Sequence, residues 1–150
     1  MIPHPTHYKL QFQTVYQDEF LIAEVDAAYS LMYVRWYRHP NSQEFRGLFT
    51  MLVDLLLQHK LKYWFSESIA LQYLEFSDQN WLLNQVLPML RNTCLKKYAR
   101  LTTKERMTLM DMARIVEGID RDPVLSGPVE FQEFFSVEDA LDWLLDTELQ

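Results

Sequence analysis

The residues with the widest chemical range in this sequence are four histidines and one cysteine. His4 and His7 lie three residues apart and could share a metal ion, but no second pair of ligands accompanies them. His39 and His59 do not have the HExxH spacing of zinc peptidases. Cys94 needs a neighbouring histidine to act as a nucleophile, and a lone cysteine that leads into a strand is usually a small buried apolar residue. We therefore predict neither a metal site nor a catalytic thiol.

Acidic and glycine-rich motifs do not point to catalysis either. Glu117, Asp120 and Asp122 are close in sequence but lack the alternation and the central glycine of a calcium loop, so we interpret them as a solvated acidic loop. The chain has three glycines, all isolated, which excludes the glycine-rich loops that surround nucleotide phosphates. No Ser-His-Asp group or pair of catalytic acids follows from spacing. The sequence predicts a protein that is not an enzyme and uses no cofactor.

Composition limits the class of partner and the compartment. The chain has 150 residues, 14 Lys plus Arg and 21 Asp plus Glu, so its formal net charge is −7. This sign disfavours binding to nucleic acid through its phosphates. A single cysteine excludes an internal disulfide, and neither a signal peptide nor an apolar run long enough for membrane insertion is present, so we expect a cytoplasmic protein. The length and the 49% of hydrophobic residues predict one domain over 1–150, with a flexible tail at 1–7.

Polar and apolar side chains alternate over the first forty residues, as is typical of β-strands. In the first stretch Tyr8, Tyr16 and the alternate residues between them are expected to share one apolar face. Polar turns separate three such stretches, which cover residues 8–16, 20–25 and 29–38, so we predict an antiparallel meander. Pro40 ends the third strand. Asn41 with Glu44 has the pattern of a capping box at the start of a helix.

Strands and helices alternate from residue 29 onward. Apolar residues at spacings of three and four predict four helices: one ending at His59 and Lys60, one capped by Ser77, one over 103–117, and one capped by Ser136. Pro88 should kink the second helix or end its regular part. The intervening strands are predicted over 62–66, 95–101 and 129–135. The first is apolar enough to be covered on both faces, so we place it centrally. The sequence thus predicts an α/β fold with a mixed β-sheet, in which an antiparallel meander precedes β-α repeats.

The connection after the central strand, residues 67–76, is more apolar than an exposed loop needs. Open α/β sheets place recognition at the carboxyl ends of their strands, where this connection lies. The first hypothesis is that it docks a regulatory protein or a second copy of the chain as a homodimer. The alternative is a pocket for an apolar or lipid-like small molecule, lined by Tyr73, Trp81 and the aromatic face of the meander. The candidate binding residues are Ile69, Leu71, Tyr73, Leu74, Phe76 and Trp81.

Several structural motifs are spread over most of the chain. They are Trp36 before the helix that carries Glu44 and Phe45, the strand Lys62-Tyr63-Trp64-Phe65, the helix start Asp78-Gln79-Asn80-Trp81, Pro88, the strand start Leu95-Lys96-Lys97, and the C-terminal run from Phe134 to Leu144. By these motifs the tract from about Leu21 to Leu145 resembles the STAS-like, or SpoIIAA-like, proteins, which are small bacterial domains similar to anti-sigma-factor antagonists. The resemblance implies a SpoIIAA-like fold and a non-enzymatic signalling role through protein-protein interaction.

The same resemblance suggests a regulatory serine. In regulatory members of the STAS class, an Asp precedes a phosphorylatable Ser between the central strand and the next helix, and a Ser-Gly pair usually follows. The matching positions are Glu67 and Ser68, but Ile69 and Ala70 replace the Ser-Gly pair. A phosphate on Ser68 would add about −1.5 to −2 charges beside Glu67. The alternative is that Ser66 and Ser68 are turn residues whose hydroxyls bond locally.

Overall fold

The computed structural model describes residues 6–71, 73–103 and 129–146. Their strands are β1 (Gln13–Gln17), β2 (Leu21–Asp26), β3 (Leu31–Trp36), β4 (Tyr63–Glu67), β5 (Lys97–Leu101) and β6 (Glu130–Phe134). Their helices are α1 (Ser42–His59), α2 (Phe76–Trp81), a π-helical turn (Leu82–Val86), α3 (Leu87–Leu90) and α4 (Val137–Leu145). The helix predicted over 103–117, and the carboxylates that follow it, lie outside the described residues.

The described strands form one six-stranded sheet in which they lie side by side in chain order. β1, β2 and β3 are antiparallel, and β3, β4, β5 and β6 are parallel. This arrangement confirms the α/β class, with an antiparallel meander leading into a parallel part. It also confirms the central position of β4, which has β3 on one side and β5 on the other.

The first strand is shorter than predicted. β1 begins at Gln13, and a register shift between Thr14 and Tyr16 interrupts its pairing with β2. Such a bulge turns the side chains that follow it to the other face of the sheet. Leu10 and Phe12 pack against one core and Tyr16 against the other, so the prediction of one shared apolar face from Tyr8 to Tyr16 was wrong.

Helix α1 begins and ends where the sequence indicated. The Asn41 side chain accepts a hydrogen bond of 2.8 Å from the Glu44 amide, and the Glu44 carboxylate accepts one of 3.0 Å from the Asn41 amide. This reciprocal pair is the predicted capping box. At the other end Lys60 has a left-handed backbone, with φ of 52°, and its amide bonds to carbonyls of the last turn.

The second helical segment starts earlier than predicted and changes its winding before Pro88. Glu75 occupies the N-cap position and Ser77 lies inside the helix, so the assignment of Ser77 as the cap was wrong. Proline has no amide to donate to the carbonyl four residues earlier. The Leu87 amide instead bonds to the Leu82 carbonyl five residues earlier, which defines the π turn. The regular α-helix is therefore interrupted ahead of Pro88, as expected, and resumes as α3.

Two apolar cores lie on opposite faces of the sheet. The first contains side chains of α1, α2, the π turn and α3, and the second contains side chains of α4 and of the N-terminal segment around Tyr8. Trp64 of β4 belongs to the first core and Phe65 to the second, because successive strand residues point to opposite faces. No described helix has both the length and the apolar character needed to cross a membrane.

We expect Asn41→Ala to lower the free energy of unfolding by about 1 kcal/mol, because it leaves N-terminal amides of α1 without their acceptor. Urea denaturation of the variant and the wild type measures this difference. Gln43→Ala, an exposed position in the same helical turn, is the matched control and should change stability by less than about 0.5 kcal/mol. Equal losses for the two variants would contradict the capping contribution.

Candidate functional site

A narrow cavity lies between the first face of the sheet and the helices that cover it, towards the carboxyl ends of β3, β4 and β5. The volume of this cavity is about 50 Å³. The walls are mostly apolar, and Tyr73, which is half exposed, lines the cavity where it approaches the surface. The lining residues are Trp36, Phe45, Phe49, Trp64, Ser66, Ser68, Leu71, Tyr73, Leu74, Leu82, Val86, Leu87, Leu90, Tyr98, Arg100 and Phe131.

Trp64 lines the cavity from the central strand. Its ring packs edge-on against Tyr98 of β5, with ring centroids 5.0 Å apart, and lies 5.3 Å from the ring of Phe49 on α1. Trp64 is 1% exposed, and its indole Nε1 is buried without a hydrogen-bond partner among the described residues. A buried N–H of this kind is costly unless something accepts from it. Trp64 is therefore a lining residue with an unused donor among the described residues.

Three residues with hydroxyl groups line the same cavity. The Ser66 and Ser68 oxygens are 2.7 Å apart, and both serines form hydrogen bonds with the Tyr98 hydroxyl. Burial raises the pKa of Tyr98, and the hydrogen bonds from the serines oppose that shift. The three residues are buried and therefore bond mainly to one another. They supply a small polar patch on an otherwise apolar wall.

Arg100 is the charged residue among the described lining residues. It faces Glu133 across neighbouring strands, and its Nη1 donates to the Glu133 carboxylate at 3.0 Å. Both side chains are largely buried, with 11% and 12% of their surfaces exposed. The opposite charges compensate each other, so the cavity has no net charge from this pair.

The segment that connects β4 to α2, described at residues 68–71 and 73–75, lines the cavity and contacts the chain close to the start of α1. Tyr73 stacks on His39, with centroids 5.2 Å apart. Just beyond the segment, buried Asp78 accepts hydrogen bonds of 2.9 Å from Arg46 Nε and 2.8 Å from the Ser42 hydroxyl. Asp78 is 5% exposed and Arg46 is 39% exposed, so loss of Arg46 would leave a buried carboxylate without its opposite charge. These contacts hold the start of α2 against α1.

The six predicted binding residues separate into two groups. Leu71, Tyr73 and Leu74 line the cavity. Ile69 and Phe76 are exposed to 38% and 66% and lie outside its lining. Trp81 is half-buried and packs edge-on against Phe45, so it supports the wall from behind. The pocket expected from Tyr73 and the meander thus has Tyr73 and the meander's Trp36, but not Trp81, in its lining.

Glu67 and Ser68 point to opposite faces of the sheet. Ser68 is 1% exposed and bonds to Ser66, which is the local bonding considered as the alternative to phosphorylation. A kinase would need this hydroxyl to become exposed first, and phosphorylation of Ser68 stays a prediction. Glu67 accepts a hydrogen bond of 2.5 Å from the Tyr33 hydroxyl and lies 3.5 Å from Arg35 Nε.

A second, more polar cavity of about 180 Å³ adjoins the first and shares Phe45, Tyr73 and Leu74 with it. It lies between the start of α1 and the end of the connecting segment. Its polar lining residues already bond to one another, since the Ser42 hydroxyl donates to Asp78 and lies 3.3 Å from a Glu75 oxygen. These contacts account for the polar groups as part of the attachment of α2 to α1.

The histidine and cysteine predictions have separate outcomes. His7 lies 2.7 Å from a Glu138 oxygen and 3.5 Å from Asp142, and these donor atoms could hold a cation, although His7 is largely exposed. Each ring nitrogen faces a different carboxylate, so the contacts are explained as attachment of the N-terminal segment to α4. His4 is outside the described residues.

Cys94 is exposed, so its expected burial was wrong. The strand β5 begins later than predicted, at Lys97, and Leu95 rather than Cys94 is buried in the segment that leads into it.

Sequence reasoning did not assign Trp64, Ser66, Tyr98 or Arg100 to a site. The available signal was two polar residues, Ser66 and Arg100, within strands whose other charged residues lie at the strand ends. In the sheet they are register partners, as are Trp64 and Tyr98. Parallel register partners share a face, so the pairing brings all four to one wall.

The chain matches no protein-family model, no curated protein and no solved structure. The α/β class and the cavity therefore rest on the geometry of the described residues, and the STAS-like fold stays a prediction.

We expect the stability of the protein to fall above about pH 10, partly through Tyr33. Burial and the hydrogen bond to Glu67 raise the pKa of Tyr33 above its ordinary value of about 10. The unfolded chain then loses this proton at a lower pH than the folded one, so the contribution of Tyr33 is complete below about pH 10 and decreases above it. Above about pH 10, Tyr33→Phe should make the unfolding free energy fall less steeply with pH, by up to about 1.4 kcal/mol per pH unit. Urea denaturation of both proteins between pH 9 and 11.5 measures how the unfolding free energy changes with pH. The same change for variant and wild type would contradict this assignment.

Proposed function

We propose that the protein is a non-enzymatic binding module whose ligand is a small molecule, held in the cavity beneath residues 68–75. The observation that carries the proposal is the combination of apolar walls with the unused donor of buried Trp64. Small-molecule sites have this composition, since apolar walls supply contact area and a few polar groups orient the ligand.

The size of the cavity limits the ligand. One water molecule needs about 10–15 Å³ of cavity volume on this scale. The cavity of about 50 Å³ therefore holds about four water-sized groups. This is below the roughly 300 Å³ expected for a drug-sized ligand. The ligand is therefore a small molecule, or one that inserts only its apolar end.

The lining chemistry favours binding over reaction. A serine nucleophile needs an adjacent base, and the described lining residues include neither histidine nor a carboxylate. Ser66, Ser68 and Tyr98 bond to one another, and Arg100 is paired with Glu133. A regulatory role like that of the STAS-like proteins is the finer form of this proposal, and the sequence resemblance supports it.

We expect the wild-type protein to bind branched probes with six non-hydrogen atoms, such as 3-methylbutan-2-one or 2,3-dimethylbut-1-ene. Binding should shift amide NMR resonances around Trp64, Val86 and Tyr98. Val86→Met, which extends a side chain of the π turn into the cavity, should weaken binding at least about fivefold because it occupies part of the available space. No saturable shift with either probe would refute the proposal.

Val53→Met is the matched control for this experiment. Val53 is a buried valine of α1 in the same core, but it is not among the lining residues. It should retain wild-type affinity for the probes. Equal weakening by the two substitutions would place the binding elsewhere or attribute the loss to general destabilisation.

Self-association is a second candidate function, favoured by the exposed apolar side chains of the same edge. Ile69, Tyr73 and Phe76 lie within eight residues and are exposed to 38%, 51% and 66%. We call these three residues the outer rim. Apolar side chains grouped in this way are typical of interaction surfaces, and a second copy of the chain would bury them.

If the outer rim joins two copies, light scattering should give the mass of a dimer for the wild type. Tyr73→Asp should raise the dimer dissociation constant at least about tenfold, because it places a charge in an apolar contact. Leu57→Asp is the control, since Leu57 is also exposed, at 43%, but lies at the far end of α1. A monomeric wild type, or equal effects of the two variants, would reject this interface.

A further inference from the structure

The buried Trp64 indole restricts which molecules fit the cavity. Its N–H has been removed from water and has no acceptor among the described residues, whereas Tyr98, Ser66 and Ser68 bond to one another. A ligand atom that accepts from Nε1 would satisfy this donor. A purely apolar ligand would leave it unsatisfied and would gain only from contact with the walls.

The charges around the cavity disfavour both ligands with a carboxylate and ligands with an ammonium group. A carboxylate would have to share Arg100 with Glu133, which is buried and already accepts from the guanidinium at 3.0 Å. Two buried carboxylates around one guanidinium leave one negative charge uncompensated. The described lining residues contain no carboxylate to receive an ammonium group, and burial of an unpaired charge is costly.

We propose that the cavity selects uncharged molecules with a carbonyl oxygen, as in a small branched ketone or amide, and that this oxygen accepts a hydrogen bond from Trp64 Nε1. This inference rests on the proposed small-molecule function and adds the ligand class and the residue that recognises it. The isopropyl-sized apolar end of the ligand packs among Val86, Leu87 and Leu90, and the cavity's volume limits it to about four water-sized groups.

Four probes with the same branched shape and six non-hydrogen atoms test the inference. They are 3-methylbutan-2-one, isobutyramide, isobutyrate and 2,3-dimethylbut-1-ene. The ketone and the amide should bind about tenfold more tightly than the alkene, as one buried hydrogen bond allows. Isobutyrate at pH 7 should bind more weakly than isobutyramide. Titrations followed by amide NMR give the four dissociation constants on one scale.

Trp64→Phe keeps an aromatic ring in the wall and removes the donor. Because the smaller ring also enlarges the cavity, the readout is the ratio of ketone to alkene affinity, which should fall from about ten to about one. Trp81→Phe is the matched control, since Trp81 lies on α2 and is not among the lining residues. It should leave the ratio unchanged.

A direct measurement covers the case in which Trp64→Phe does not fold. In the wild type, the indole N–H resonance of Trp64 should move downfield when the ketone binds and should not do so with the alkene. The Trp64 indole resonance is identified as the indole N–H that shifts together with the amides of neighbouring β4 residues. Its identification therefore does not require the Trp64→Phe variant.

The outcomes separate the two proposals. Tighter binding of the ketone, together with the downfield shift, supports the inference. Equal affinities for ketone and alkene, or preferred binding of isobutyrate, would overturn the inference while the small-molecule function stands. An absence of binding by all four probes would overturn both.

Discussion

Strand β4 is covered on both faces, and this burial constrains every polar atom on it. Side chains of the α1–α3 region pack on one face and those of α4 and the N-terminal segment pack on the other. Water does not reach such positions, so each polar group needs a partner inside the protein. Ser66 and Ser68 use each other, and Glu67 uses Tyr33. Trp64 Nε1 is the exception on this strand among the described residues, and the proposed ligand recognition depends on it.

The connecting segment couples the interior of the protein to its surface. Leu71 is buried against the cavity, whereas Tyr73 both lines the cavity and is half exposed. The Arg46–Asp78 ion pair attaches the start of α2 to helix α1, and the stacking of Tyr73 on His39 attaches the segment to the connection between β3 and α1. A ligand in the cavity and a second copy at the outer rim would therefore contact the same tyrosine. If both proposals hold, Tyr73 is the residue through which occupancy of the cavity would affect the outer rim.

Ser68 is both the residue where phosphorylation was expected and a lining residue of the cavity. Ser68 follows the central strand, where a switch serine would be placed by resemblance to the STAS-like proteins. In the structure its hydroxyl faces the cavity and bonds to Ser66, while the acidic neighbour Glu67 faces the other core. A phosphate on Ser68 would put about two negative charges into this buried wall. It would thus act on the cavity as well as on any partner.

The pattern of the sequence was sufficient for the order of the six described strands and for the bounds of α1. Asn41 and Glu44 marked the start of α1, Pro88 marked an interruption of regular α-helix, and the apolar strand around Trp64 indicated a central position. These features are local, because capping, loss of an amide and hydrophobic alternation act within a few residues. Where a bulge entered β1, alternation failed as a guide, since one extra residue exchanges the two faces.

The site depended on pairings between distant parts of the chain. Trp64 meets Tyr98, and Ser66 meets Arg100, only because β4 and β5 are parallel in one register. A shift of that register by one residue would point each of these side chains to the opposite core. The tertiary structure therefore decided which polar residues line the cavity, which are paired, and which donor has no acceptor among the described residues. Local sequence patterns contain no information about that register, so composition could indicate an apolar connection but not the donor beneath it.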